Sequence, residues 1–401
     1  MKKYFYLFIS LLFFLFGCIS CSESNPENPK EPTNKPEPLP EEEKEDENLQ
    51  WETAQEAVKN MQIGWNLGNT LDSNGDWIEK WGDGSTASFE TAWGQPVTSP
   101  ELIQMFADAG FGAIRVPVTW YQHMDKTTHE VDQKWMNRVE EVVNYVLDAG
   151  MYCILNVHHD TGTEGWLRAD LNTYQETSDK FKALWEQIAE RFADYDHHLL
   201  FEAYNEILDT NNTWNLPSVA GVHQAANALN QDFVDVIRVS GGNNRMRNLV
   251  VCTYAAATEA DNLKGFSIPQ DITPNHLIAE VHSYAPYPFA FDLSEDEYWS
   301  KYDTDIFNTS AESEVQNIVN TVGRHFTQAS IPCILGEFGA HDKGNESERA
   351  KQAACYVSAA AQHGICCFYW MGLVDGEDRK DLKWTAPFIR DAILEAATEM
   401  K

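Results

Sequence analysis

Two glutamates, Glu206 and Glu337, stand where short apolar runs of the chain end. Hydrolysis of a glycosidic bond needs one carboxylic acid that protonates the leaving oxygen and one carboxylate that faces the anomeric carbon. When the two carboxyl groups lie about 5 Å apart, the second acts as a nucleophile and the configuration is retained. A single glutamate at such a position is more often a helix cap or an ion-pair partner, so the interpretation depends on the surrounding residues.

Other polar and aromatic side chains stand at or just beyond the ends of similar apolar runs. Asn205 directly precedes Glu206. The remaining candidates are Asn69, Arg115, His158, His159, His282, Tyr284 and Trp370. Such groups at nearly every run are not expected of an ordinary surface, and they favour a shared site. Successive strand residues point to opposite faces, so we expect His159 to be less involved in chemistry than His158 if the strand continues.

Eight apolar runs must position these side chains, and each has the length of a strand. They cover residues 62–67, 113–118, 152–157, 199–204, 249–254, 277–282, 333–337 and 366–370. Runs that are apolar almost throughout are typical of a parallel sheet that is covered on both faces. The sequence therefore predicts eight parallel strands.

Helical patterns separate these runs, and several carry start and stop signals. Thr98 begins a capping-box sequence that ends at Glu101, with a proline in the first turn. Gly110, Gly150 and Gly364 each stand just before a strand-like run, where a glycine is expected to end a helix. Each strand is thus predicted to be followed by a helix.

This alternation predicts a (β/α)8 TIM barrel, an α/β fold with a single catalytic domain over residues 49–401. A doubly wound open sheet is the alternative, but no glycine-rich phosphate loop follows the first run. In a TIM barrel, functional residues lie at the carboxyl ends of the strands. The fourth and seventh strands face each other across the barrel mouth, so Glu206 and Glu337 are expected to lie close together.

The chain resembles glycoside hydrolase family 5, the retaining barrel glycosidases that include many bacterial cellulases. The resemblance extends over residues 55–395 and is strongest to subfamily 4, which contains endo-β-1,4-glucanases and xyloglucanases. The segments that carry it are 64–72, 93–96, 115–120, 204–206 and 334–339. His158, His282, Tyr284 and Trp370 match the remaining functional positions of the family.

This resemblance implies a role for each candidate. Glu206 would be the acid/base and Glu337 the nucleophile, with Arg115 and Tyr284 near enough to stabilise the charge of the nucleophile. Asn205 would bind the 2-hydroxyl of the sugar at the cleavage point.

The other matched residues would support the substrate and the two carboxylates. His158 and His282 would position carboxylates and sugar hydroxyls, and Trp370 would stack against a sugar ring. Asn69 and His159 are further candidates for substrate binding.

The implied activity is that of a retaining endo-β-1,4-glucanase, a cellulase that cleaves internal bonds of cellulose-like or mixed-linkage β-glucan. A xyloglucan-specific endoglucanase is the close alternative, and a xylanase or mannanase is more distant. A non-catalytic glycan-binding lipoprotein of the cell surface is the alternative from another class. No cofactor or metal is expected.

The charge of the chain limits its partners. The sequence has 29 Lys and Arg against 62 Asp and Glu, a net charge of −33. Nucleic-acid binding needs a basic face, and so does electrostatic attachment to anionic lipid, so neither partner is expected. A neutral polysaccharide is compatible with this charge, and we expect a monomer.

The N-terminus predicts an anchor. Residues 1–21 combine two lysines, a short apolar run and two cysteines, as in a lipoprotein-type signal peptide with lipid on Cys18 or Cys21. Residues 22–48 hold six prolines and ten acidic residues, which predicts a disordered tether. The expected location is the outer membrane of a Gram-negative bacterium, held through this lipid alone and facing the cell surface or periplasm.

An acidic loop, the remaining cysteines and five loop tryptophans do not require a catalytic role. The acidic spacing from Asp72 to Asp83 lacks the glycine and final glutamate of a calcium loop, and we interpret it as a solvated loop. The six cysteines beyond residue 21 are expected to be free thiols of the core. Loop tryptophans that could line a glycan cleft or pack within their own loops are Trp77, Trp81, Trp166, Trp214 and Trp299.

Overall fold

A computed structural model of the chain describes residues 51–291 and 305–398. Within them, eight parallel strands pair in chain order and close into a barrel, since the first strand also pairs with the last. The strands are β1 (Ile63–Asn66), β2 (Ala113–Val116), β3 (Tyr152–Asn156), β4 (Leu199–Glu202), β5 (Leu249–Cys252), β6 (Leu277–His282), β7 (Cys333–Phe338) and β8 (Cys366–Trp370). The predicted TIM barrel is confirmed, and the open doubly wound sheet is wrong.

A helix follows each strand, and shorter helices lie in the connections. Over the described residues the helices are α1 (Ala54–Met61), α2 (Asp76–Trp81), α3 (Thr86–Glu90), α4 (Pro100–Ala109), α5 (Gln133–Asp148), α6 (Tyr174–Arg191), α7 (Val222–Val239), α8 (Ala260–Gly265), α9 (Tyr287–Phe291), α10 (Thr309–Gln328), α11 (Glu346–Ala361), α12 (Asp378–Asp381) and α13 (Pro387–Ala397). Each predicted strand agrees with an observed one to within two residues at either end.

The predicted start of α4 is displaced by one residue. Ser99, not Thr98, caps the helix, because its hydroxyl accepts from the backbone N–H of Leu102. The backbone N–H of Thr98 instead donates to Glu90, 2.7 Å away. The predicted ending at Gly110 is confirmed by a left-handed φ of 105° there.

The half of the barrel interior nearer the amino ends of the strands, here called the lower half, is apolar. Its inward-facing side chains are Ala113, Ile154, Leu200, Val250, Ile278, Ile334, Cys366 and Phe368, and α1 packs against the same cluster. Gly64 on β1 makes room for one of them, because a Cβ atom there would lie 2.1 Å from the ring of Phe368. The barrel is therefore a packed core below its mouth.

The described chain begins at this lower face. The Glu52 carboxylate accepts from the hydroxyl of Tyr152, at the start of β3. The backbone carbonyl of Glu52 accepts from Asn248, directly before β5. The amino ends of the strands therefore hold the entering chain, on the face opposite to the carboxyl ends.

The cysteines of the described region behave as expected, since all six are free and five are buried. Among the helices of that region, none combines the length and apolar character needed to cross a bilayer. The predicted signal peptide, the tether, Cys18, Cys21 and Trp299 lie outside the described residues.

Candidate active site

A layer of buried charge lies directly above the apolar half of the barrel. Arg115, Glu202 and Glu280 have no exposed surface. Each stands two positions after an apolar inward-facing residue on its strand, so the period of two directs it into the barrel. The strands that fill the lower core thus also carry these charges.

Arg115 uses all five of its N–H groups. Nε and Nη2 form a bidentate pair with the Glu202 carboxylate, at 2.6 and 2.7 Å. Nη1 donates to Asn66 at 2.9 Å and to Glu337 Oε1 at 2.8 Å. Nη2 also donates to Oδ1 of Asn205, at 2.9 Å. The guanidinium is fixed, and it commits the amide oxygen of Asn205 while leaving the amide N–H groups as donors.

Glu337 receives a donor on each carboxylate oxygen. Arg115 donates to Oε1, and the hydroxyl of Tyr284 donates to Oε2 over 2.7 Å. Burial raises the pKa of Glu337, while the positive charges of His282 and Arg115 oppose that rise. The carboxylate is therefore oriented from two sides before any substrate enters.

Glu206 lies opposite, at the end of a turn rather than on β4 itself. Its backbone has φ 23°, a value that L-residues rarely adopt. Its Oε1 is 2.8 Å from Nδ1 of His282, which in turn is 3.6 Å from Oε2 of Glu337. An oxygen of Glu206 and an oxygen of Glu337 lie within 4.8 Å of each other. This spacing is that of retaining glycosidases, about 5–5.5 Å, and is too short for an inverting pair.

His282 touches carboxylates with both ring nitrogens. Besides Glu206 at Nδ1, it contacts Oε1 of Glu280 through Nε2, at 3.2 Å. Burial opposes a charge on the ring, but Glu337, Glu206 and Glu280 together raise the pKa of His282 to about 10. An imidazolium at this position lies between the two catalytic candidates.

His158 is in the opposite state. Burial lowers its pKa well below the ordinary value, with His159, Arg115 and His282 adding to the effect. The amide nitrogen of Asn156 lies 3.1 Å from Nδ1, and because that nitrogen only donates, Nδ1 accepts. The proton of the neutral ring is therefore on Nε2.

A cavity of about 740 Å³ opens at the carboxyl ends of the strands. The predicted candidates that line it are His158, His159, Asn205, Glu206, His282, Tyr284, Glu337 and Trp370. Arg115 lies buried beneath it. Asn69 is not among the lining residues; its backbone N–H donates to Asp72 in the turn after β1.

His159 lies in the same cavity as His158, and not on an opposite face. We expected the two histidines to point to opposite faces only if the strand continued through them. β3 ends at Asn156, before either histidine, so the alternation of strand side chains does not apply to them. The ring of His159 meets Trp93 edge to face, with centroids 5.3 Å apart.

The loop that begins at Asp72 is also less exposed than predicted. Asp72 is fully buried, and its carboxylate accepts from the backbone N–H groups of Asn69 and Thr70. Its oxygens approach His158 and His159 closely enough for a metal, but they already have these partners. We interpret Asp72 as the residue that holds the turn after β1.

Sequence reasoning missed several residues of the site. Asn156, Glu202 and Glu280 support the candidates from below. A signal was present, because an acidic residue stands at an inward position within the apolar runs of β4 and β6. Tyr287 and Phe291 line the cavity from α9.

Of the loop tryptophans, Trp214 lines the cavity and is half exposed. Trp166 packs within its own loop, where its indole N–H donates to Asp160 at 2.7 Å. Trp77 and Trp81 are exposed and are not among the lining residues.

The fold is a TIM barrel, and its mouth holds two carboxylates at this spacing above an arginine whose N–H groups are all hydrogen-bonded. This combination is that of the retaining glycoside hydrolases. The family model described as "Cellulase (glycosyl hydrolase family 5)" matches residues 71–373. The chain belongs to glycoside hydrolase family 5, and the resemblance inferred from its motifs is confirmed.

Relatives and solved structures agree with this assignment. The chain is 39% identical over 359 residues to the cellulase/esterase CelE of Acetivibrio thermocellus, and 35% identical over 358 residues to endoglucanase A of Ruminococcus albus. A family 5 enzyme of Prevotella bryantii B14, solved with a xyloglucan tetradecasaccharide, is 42% identical, with a TM-score of 0.79 and coverage of 87% of this chain and 99% of that one. A broad-specificity endoglucanase of Ruminococcus champanellensis with bound cellotriose is 35% identical, with a TM-score of 0.78 and coverage of 88% and 100%.

The matched lengths differ among the relatives. The matches take in 86% of this chain in both curated cases, but 40% of the Acetivibrio protein and 93% of the Ruminococcus albus protein. The barrel is therefore the part that is shared.

Proposed function

We propose that the protein is a retaining endo-β-1,4-glucanase that hydrolyses internal bonds of cellulose-like or mixed-linkage β-glucan. The observation that carries this proposal is the carboxylate pair, Glu206 and Glu337, with oxygens within 4.8 Å. The family and the endoglucanase relatives support the same activity.

In the first step, Glu337 attacks the anomeric carbon while Glu206 gives its proton to the glycosidic oxygen. The carbon–oxygen bond to the leaving chain breaks, and a glycosyl ester on Glu337 forms. In the second step, Glu206 takes a proton from water, whose oxygen attacks the same carbon and releases Glu337. Two inversions give net retention.

The surrounding groups are placed to orient the sugar. The amide N–H groups of Asn205 face away from Arg115 and are available to the 2-hydroxyl, a contact that strengthens in the transition state. The Nε2–H of His158 is a second donor at the cavity wall. Trp370 offers an apolar ring face, nearly parallel to that of His158.

The test replaces each carboxylate singly, as Glu337→Gln and Glu206→Gln, with Glu101→Gln on the exposed face of α4 as the matched control. Each site variant is expected to lose at least ~100-fold in release of reducing sugar from barley β-glucan, the scale of acid–base and nucleophilic groups. A loss below this in both variants would contradict the assignment and favour a non-catalytic binding protein. Proton NMR of the first product should show the β-anomer; initial α-anomer would exclude retention.

Xyloglucan is the second candidate substrate, favoured by the 42% identity to the Prevotella enzyme solved with a xyloglucan oligosaccharide. Initial rates on carboxymethyl cellulose, barley β-glucan, xyloglucan, xylan and mannan separate the possibilities. Highest activity on xyloglucan would establish the second candidate. Activity confined to mannan or xylan would contradict both.

We further propose that the enzyme is a monomer held to the outer membrane through lipid on Cys18 or Cys21. The support is the basic and apolar leader of residues 1–21 and the acidic, proline-rich segment of residues 22–48. In cell fractions probed by immunoblot, the double change Cys18→Ala with Cys21→Ala should move the protein out of the membrane fraction. Retention of this variant in the membrane would contradict the anchor, and a dimer in light scattering would contradict the monomer.

A further inference from the structure

We propose that Glu280 is a positioning residue that holds His282 as an imidazolium between Glu206 and Glu337. The proposal deepens the proposed hydrolase function, on which its kinetic part rests. It concerns a carboxylate that has no exposed surface and that does not line the cavity.

The contacts of Glu280 connect it to the site from beneath. Its Oε1 is 3.2 Å from Nε2 of His282 and 3.5 Å from Nε of Arg115. Its Oε2 lies 3.1 Å from the thiol of Cys252, whose single S–H also has the backbone carbonyl oxygen of Tyr204 as an acceptor at 3.0 Å. A buried carboxylate beside both a guanidinium and an imidazolium stays ionised, because these cations offset its loss of water.

The two ring nitrogens of His282 determine its charge state. Nδ1 lies 2.8 Å from Glu206, and Nε2 lies 3.2 Å from Glu280. A neutral imidazole carries one N–H, so an ionised carboxylate at the other nitrogen would face a lone pair. Glu206 carries a proton when it acts as the acid, but Nδ1 also lies 3.6 Å from Oε2 of the ionised nucleophile, Glu337. The imidazolium is therefore the form that offers an N–H to carboxylates on both sides of the ring. Glu280 thus fixes both the ring plane and the proton at Nε2.

The strand next to Glu280 is built to admit it. On β7, a Cβ atom at Gly336 would lie 1.6 Å from Oε1 of Glu280. The pairing of β6 with β7 also shifts register between Val281 and His282, directly above Glu280. Any larger side chain at position 336 would displace the carboxylate from His282.

Titratable groups from several strands face Glu280 or His282. They are Arg115, His158, Glu202, Glu206, Cys252, Tyr284 and Glu337. Burial opposes ionisation of Glu280, but Arg115 and His282 outweigh it and lower the pKa of that carboxyl. Glu202 and Glu280 both lie beside the cation of Arg115, and of the two carboxylates only Glu280 also contacts His282.

This arrangement bears on the reaction through Glu206. When Glu206 gives its proton to the leaving oxygen, a new negative charge forms next to Nδ1–H of His282. An imidazolium stabilises that charge, whereas a neutral ring does so less. Because this charge forms in the transition state, loss of the cation should lower kcat more than it changes KM.

The experiment compares Glu280→Gln with the native protein by two measurements. The first is the 15N NMR signal of the His282 ring from pH 5 to 9, assigned with His282→Gln. We expect the native ring to remain protonated through pH 8 and the Glu280→Gln ring to lose its proton within this range. The second is hydrolysis, where we expect kcat to fall about 10- to 100-fold, the scale of one lost hydrogen bond between charged groups, with KM within about threefold.

Glu90→Gln is the matched control, because Glu90 is also buried and paired with an arginine, Arg138, at 2.9 Å. It should change stability but leave both the His282 signal and kcat as in the native protein. Glu280→Asp retains the charge and should restore part of both properties.

Two results would overturn the proposal. One is a neutral His282 ring at pH 7 in the native protein, which needs no variant to fold. The other is a folded Glu280→Gln protein whose His282 signal and kcat match the native ones. Failure of the hydrolase proposal is distinct, since it would appear as a native protein inactive on every glucan, and the NMR measurement would still test the Glu280–His282 pair.

Discussion

The lower and upper halves of the barrel interior are built by the same strands, but apolar packing fills the lower half and buried ion pairs fill the upper half. Below, Leu200, Ile278 and their neighbours are apolar and fully buried. Two residues further along the same strands, Glu202 and Glu280 are equally buried but charged. Apolar burial stabilises the fold, at about 25 cal/mol per Å², whereas buried ion pairs roughly break even against apolar packing. The comparison indicates that stability and chemistry occupy successive layers of one barrel.

Replacing Arg115 should have the largest effect on the charged layer, because this residue contacts most of its members. Arg115→Met leaves Glu202 without its cation and Glu337 with only His282 and Tyr284. Uncompensated buried charge costs about 3–5 kcal/mol of unfolding free energy. Activity should fall at least ~100-fold, because Glu337 and Asn205 lose their orientation. Urea unfolding and initial rates measure the two effects. A variant of native stability would show that the upper layer is held by other means.

Leu200→Ala tests the lower half alone. The lost methyl groups and the cavity that remains should cost about 2–5 kcal/mol of unfolding free energy. Since Leu200 lies below the charged layer, kcat measured well below the unfolding temperature should stay within about twofold of the native value. A large loss of kcat in the folded variant would show that the two halves are coupled.

Tyr284→Phe removes one hydrogen bond from the upper half and leaves the ring in place. A hydrogen bond to a charged group is worth about 1.5–3 kcal/mol, so kcat/KM should fall about 10- to 100-fold. Thermal unfolding should change little by comparison. An unchanged kcat/KM would mean that the donor to Oε2 of Glu337 is dispensable.

The smallest expected effect is a pH dependence of the unfolding free energy, which comes from the upper half because His282 lies there. The pKa of His282 is raised from 6.5 to about 10 in the folded state, so its contribution is fully present below pH 6.5 and is lost as the pH rises through 10. The difference in unfolding free energy between the native protein and His282→Gln should therefore shrink over this interval. Urea titrations at pH 6, 8 and 10 would measure it, and a constant difference would contradict an imidazolium.

Periodicity and the family motifs predicted most of the barrel and most of the cavity wall. The strands are apolar runs bounded by polar residues, which makes their positions readable to within two residues. Eight of the ten predicted site residues line the cavity, and Arg115 lies directly beneath it. Such motifs report side chains that reach the substrate.

The supporting layer was not predicted, for a physical reason. Glu202 and Glu280 acquire partners only when distant strands close the barrel, since Glu202 pairs with β2 and Glu280 faces β5. The sequence around a glutamate in an apolar run does not show which distant residue will be its ion-pair partner. The direction of His159 was predictable only if β3 continued through it, and the residue at which β3 ends depends on the neighbouring strands as well as on its own sequence.

The entry of the described chain at the lower face has a practical consequence. Glu52 is held at the amino ends of β3 and β5 by its contacts with Tyr152 and Asn248. A support material, fluorescent label or fused partner attached at residue 51 itself would lie on the side away from the cavity. Immobilisation by that end should therefore leave long polymer chains free access to the barrel mouth, which coupling through residues of the mouth would obstruct.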